Sequence, residues 1–188
     1  LFYLKNTYVL YKVFFYFFLS PFIPRRTFRY FFSEENKKQI GLISFVCGIL
    51  LVFVVFIIST SALDYQDINS RLANLAGFLL GLIFRNLWFV YLIVLLVNKL
   101  KLAHINWPES LAIVSFALLP IAIGQILKPI DSQWATIIRL CFTIWNALII
   151  VLGLSVLKQI NIWKALFLVT GISLTLAVIN SAFFGKKI

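Results

Sequence analysis

The residues of this chain that could do chemistry are few: one histidine, two cysteines and six acids among 188 residues. His104 stands beside Asn106 and Trp107, with no second histidine at metal-ligand spacing. No G-x-S-x-G turn, phosphate-binding glycine loop or intramembrane carboxylate pair supplies a nucleophile, an anion cradle or a general acid and base. Cys47 and Cys141 fall singly inside apolar runs, outside any C-x-x-C or Cys/His cluster, and read as small packing residues. Neither catalysis nor a metal or cofactor is expected, and His104 reads as a solvated loop residue.

The unusual charge is Arg85. Only 13 uncharged residues separate it from Lys99, too few to cross a bilayer core, so its side chain must start from near the membrane middle. Ala73, Gly77, Gly81 and Arg85 recur every four residues, and Gly77 with Gly81 has the G-x-x-x-G spacing that lets helix backbones approach. Arg85 is therefore expected to face a helix contact. No acid lies in any apolar run beyond Glu109 at the edge of the third, so backbone oxygen is the expected acceptor, chiefly the Phe116 carbonyl that Pro120 cannot satisfy, with Thr143 or Asn146 contributing. An acid or lipid phosphate from outside the chain, or a transport role, are the alternatives. Arg139, Thr143, Asn146 and Gly153 form a second stripe, with Arg139 able to snorkel, and Thr170, Ser173, Ala177, Asn180 and Ser181 form a third.

The elements that must position these residues are long apolar runs. Residues 40–59, 74–98, 109–128, 135–157 and 163–184 each have about the length that a helix rising 1.5 Å per residue needs to cross roughly 30 Å of hydrocarbon. Hydrophobic residues make up 62% of the chain, charged residues 12%, and mean hydropathy is +1.01, which excludes a water-soluble core. The net charge of +11 does not indicate nucleic acid, because Lys and Arg are scattered between apolar runs instead of gathering in one groove. The expected fold is all-α: a polytopic bundle of five spans, residues 39–188, preceded by a basic, aromatic interfacial segment over residues 1–38. Lys12, Arg25, Arg26 and Arg29 are assigned to the membrane surface. A sixth span through Lys12 is the alternative. The chain opens on Leu1 and has no methionine, so a preceding stretch is expected.

Helix starts are expected at Ser33 with Glu34 and Glu35, at Asp131 or Ser132 and at Asn161, with Pro108 in the opening turn of the third span. If the runs cross alternately, eleven Lys and Arg lie on the side of the N-terminus and four on the other. The positive-inside rule then places the N-terminus in the cytoplasm (or stroma or matrix) and the C-terminus on the opposite face, in a bacterial-type plasma membrane or an organelle membrane.

Several features in order resemble the Yip domain family, five-span proteins named for interaction with Ypt and Rab GTPases, and in particular its bacterial-type members. They are Pro24-Arg25-Arg26-Thr27-Phe28 before the first span, Leu111 to Pro120, Trp145 with Leu148, Gly153 and Leu154, and Lys164-Ala165. The resemblance implies a five-helix bundle with a cytoplasmic N-terminus and a non-enzymatic role in organising membranes and recruiting partners. The Asp-Leu-Tyr-Gly-Pro segment of the eukaryotic trafficking members is missing, so small GTPase binding is not carried over. The expected function is a membrane scaffold or accessory subunit that contacts lipids and other integral membrane proteins or itself. The alternative is a transporter or channel component, with a polar path near Arg85 for an anion or a lipid headgroup.

Overall fold

The computed structural model describes residues 2–33, 35–60, 68–127, 130, 132–157 and 160–184, and among these it is built from helices alone. In chain order they are α1 (Phe2–Leu19), α2 (Pro24–Ser33), α3 (Lys37–Thr60), α4 (Ile68–Lys99), α5 (Trp107–Phe116), α6 (Leu118–Ile126), α7 (Gln133–Leu157) and α8 (Ile162–Phe184). Four stretches are long and apolar enough to cross a membrane: Lys37–Thr60, Asn69–Lys99, Trp107–Ile126 and Gln133–Val156. In α8 the corresponding apolar stretch among the described residues is Ile162–Val178. The protein is a polytopic helical membrane bundle.

Local chemistry explains most of the boundaries. The Asn106 side chain accepts from the Glu109 N–H at 3.1 Å, the Glu109 carboxylate accepts from the Asn106 N–H, and Pro108 fills the first turn of α5. Ser132 Oγ accepts from the Ala135 N–H at 3.1 Å, and Asn161 Oδ1 from the Trp163 N–H at 2.9 Å, opening α7 and α8 as expected. The start expected at Ser33 is corrected: Ser33 closes α2, its hydroxyl donating to the Tyr30 carbonyl at 2.7 Å, and α3 begins at Lys37. Glu34 lies outside the described residues. Between α4 and α5 the Asn98 amide both donates to the Ile105 carbonyl and accepts from its N–H, at 2.9 and 3.0 Å. That pair of hydrogen bonds pins the loop carrying Lys101 (φ 53°) and the exposed His104.

The core centres on α5, buried along almost its whole length and packed between α3, α4 and α7. Its closest neighbour is α3, and the reason is small side chains. Gly41, Ser44 and Gly48 of α3 face Pro108, Ala112 and Ser115 of α5. A Cβ on Gly41 would collide with the Pro108 carbonyl oxygen, and one on Gly48 would come within 2.9 Å of Leu118 Cδ1. Where dispersion and close fit substitute for a hydrophobic drive between helices, such a seam is the expected source of stability. At the N-terminal ends of these two helices Lys37 Nζ meets Glu109 Oε1 at 3.0 Å.

The third span breaks at Ala117, giving α5 and α6. Pro120 causes the break: it lacks the N–H that would bond Phe116, and its ring crowds the preceding turn, so it is accommodated in the first turn of a new helix.

Candidate functional site

Because Pro120 leaves the Phe116 carbonyl without its helical donor, something else must meet it in a dry interior. The donor is Ser20: its hydroxyl lies 2.8 Å from the Phe116 oxygen and 3.1 Å from that of Phe17, and the residue is fully buried. The neighbouring Ala117 carbonyl accepts from the Asn146 side-chain amide. Trp145, one residue earlier on α7, donates its indole N–H to the Pro21 carbonyl at 3.1 Å. Ser20 and Pro21 form the bend between α1 and α2, so the broken middle of the third span and the centre of α7 together grip that bend. Sequence reasoning matched the freed carbonyl correctly but paired it with Arg85. A serine 96 positions away carries no signal in the sequence that it will be the donor.

These contacts fix the depth of the N-terminal segment. Phe17 lies against Gly48, about midway along α3, while Ser20 meets the α5/α6 break and Pro21 meets Trp145 midway along α7. Phe28 reaches Gly153, where a Cβ would come within 2.9 Å of the ring. So α2 runs beside α7 from its midpoint toward its C-terminal end. Tyr16, Phe28, Phe31 and Phe116 form one aromatic cluster with centroids 5.4 to 6.1 Å apart. The segment expected at the interface is thus helical: a hairpin that turns at Ser20 to Ile23, its bend held against the middles of α3 and α7 and the α5/α6 break. The sixth-span alternative falls on α1, which ends at this bend and is not among the stretches long and apolar enough to cross.

The hairpin's basic residues stay outside. Arg25, Arg26 and Arg29 are exposed on α2, and Lys12 is half-buried on α1. Lys12 Nζ lies over the rings of Tyr8 and Tyr16 at 5.3 and 5.7 Å, and the Arg26 guanidinium over Tyr30 at 5.6 Å.

The stripe on α4 is placed differently from expectation. Gly77, Gly81 and Arg85 are all exposed, and a Cβ at either glycine would meet nothing within 4 Å. Among the described residues, then, neither glycine of this stripe packs against another helix, and Arg85 stands exposed beside them. The close-packing role assigned to this G-x-x-x-G is taken by Gly41, Ser44 and Gly48, whose i, i+3, i+7 spacing is the signal sequence reading passed over. On α7, Arg139 turns back to the Ala135 carbonyl and the Thr136 hydroxyl at 3.3 and 2.9 Å, toward the helix end as a snorkelling side chain does. Thr143 is exposed and donates to the Arg139 carbonyl at 3.0 Å. The stripe thus divides, Asn146 and Gly153 pointing into the bundle and Thr143 away from it. The side chains of Asn180 and Ser181 lie outside those described. Among the described residues no three His, Cys, Asp or Glu gather as metal ligands, and both cysteines are free thiols.

A bundle of apolar helices with a proline-broken third span defines an integral membrane protein. The Yip1 domain model matches residues 17–184, so the chain belongs to the Yip1 domain family. The match begins on the last turn of α1 and takes in α2, the broken span, Trp145 and Gly153. Neither a curated protein nor a solved structure matches the chain.

Proposed function

We propose that this protein is a membrane scaffold or accessory subunit that holds a partner transmembrane helix against α4. The observation that carries the reading is the bare face of Gly77, Gly81 and Arg85. An arginine near the bilayer middle is costly unless protein, water or phosphate meets it, and two glycines beside it leave room for a second backbone to approach. The partner would offer Arg85 a carbonyl, a carboxylate or a phosphate-bearing lipid held at the contact. In this reading the N-terminus and the hairpin's open end face the cytoplasm (or stroma or matrix), following the excess of Lys and Arg on that side.

A photo-crosslinking side chain at Leu80 or Phe84, both exposed on the same helix, tests it in native membranes. A defined adduct is expected that disappears in Gly81→Ile and weakens in Arg85→Gln. A lone monomer in mild detergent, with no adduct from either position, overturns the reading. A transporter gains no support, since Arg85 looks outward from the bundle and Asn146 is occupied by the Ala117 carbonyl.

A further inference from the structure

Arg85 stands midway along α4, 14 residues from Arg71 on one side and 14 from Lys99 on the other, about 21 Å each way along the helix. Wherever roughly 30 Å of hydrocarbon lies between those two charges, Arg85 is about 9 Å or more inside it. Its side chain is nevertheless exposed and makes no hydrogen bond or ion pair among the described residues. Trp88, one turn along the same face, is exposed as well, and its indole N–H has no acceptor among those residues. We propose that the helix seated on α4 belongs to a different protein and carries an aspartate or glutamate inside its own span, whose carboxylate accepts from Arg85 and Trp88.

Such a partner rests on the reading of α4 as a helix-docking face and adds what that helix must carry. A second copy of this chain cannot supply it. The six acids, Glu34, Glu35, Asp64, Asp67, Glu109 and Asp131, all lie between the apolar runs or at the edge of one, and Glu109 is already bound to Lys37. A copy inserted the same way would bring a second Arg85 to the same depth, where two like charges in a dry contact repel. The backbone of a regular partner helix does not answer either, because its carbonyls are taken by its own N–H groups, and a carbonyl leaves the positive charge unneutralised. Headgroup phosphates lie beyond the hydrocarbon, whereas a carboxylate on a facing turn sits level with the guanidinium. Its two oxygens match the planar fork and keep lone pairs for the indole N–H. Open space at Gly77 and Gly81 lets the partner's backbone come close enough for a short acidic side chain to reach.

The probe is a synthetic leucine-alanine helix of about 22 residues, flanked by lysines, with a central aspartate and a glycine four residues to each side of it. Its binding to the full chain in phosphatidylcholine vesicles is read by energy transfer and compared with that of the same peptide carrying asparagine. The aspartate peptide is expected to bind about tenfold or more tightly. Arg85→Lys keeps part of that preference, Trp88→Phe reduces it and Arg85→Gln removes it. Equal binding of the two peptides to the unmodified protein overturns the inference without need of any variant, as does a preference that survives Arg85→Gln. Loss of the preference once a minority of phosphatidylglycerol is added assigns Arg85 to a lipid phosphate and overturns it too. In native membranes the adduct formed from Leu80 or Phe84 is expected to hold a second kind of chain with an acid inside its span. An adduct of two copies of this protein sinks the inference while leaving a helix docked on α4, and no adduct at all removes the docking itself.

Discussion

Serines show how much a single hydroxyl depends on its surroundings. Ser20 and Ser44 are both fully buried, yet Ser20 donates to a carbonyl that Pro120 has freed, whereas the hydroxyl of Ser44 finds no partner among the described residues, nor does that of Ser110. Removing a satisfied donor leaves its acceptor orphaned, while removing an unsatisfied one relieves a desolvation cost. Ser20→Ala is therefore expected to destabilise the protein by about 1 kcal/mol, the usual scale for an interhelical hydrogen bond in lipid. Ser44→Ala should be neutral or mildly stabilising. Unfolding of the purified protein in mixed detergent compares the two, and equal losses would show that the pairing with Phe116 does not matter. Asn146→Leu belongs with Ser20→Ala, since it uncovers the Ala117 carbonyl.

At the scale of elements, glycines of similar sequence context divide into two kinds. Gly41, Gly48 and Gly153 sit where a Cβ would strike a neighbouring helix; Gly77 and Gly81 sit where it would strike nothing. Gly48→Leu is expected to push α3 off α5 and cost several kcal/mol by overpacking, seen as lost monodispersity or a lower melting temperature. Gly77→Leu should leave the melting temperature of the isolated protein unchanged and act only on whatever partner binds α4. Gly153→Val has a third signature: it displaces Phe28, so α2 should become open to proteolysis and hydrogen exchange while the α3·α5 seam stays protected.

The molecule as a whole makes a prediction about sides. If the hairpin turns back within the bilayer, the start of α1 and the start of α3 lie on one face. A cysteine at Lys5 and one at Lys38 should be labelled by an impermeant reagent from the same side. Under the orientation proposed above, one beyond Phe184 should be labelled only from the other. Labelling of Lys5 and Lys38 from opposite sides would mean that α1 crosses after all. Neighbouring helices carry the depth of this hairpin, in Gly48, the α5/α6 break and Trp145, which is why its own composition does not reveal it.

The sequence by itself determined that these helices live in a bilayer, because the length and apolarity of a span are set by hydrocarbon thickness and can be counted along the chain. It determined the start at Asn161, the start at Asp131 or Ser132, the place of Pro108 in an opening turn and the defect at Pro120 for the same reason: each is decided by atoms within four residues of one another. Which hydroxyl repairs the defect, which glycine stripe becomes a seam and which face of α4 stays bare depend on contacts between residues far apart in the chain. Only the folded bundle decides them, since the same small residues at the same spacing serve equally well inside it or on its outer surface.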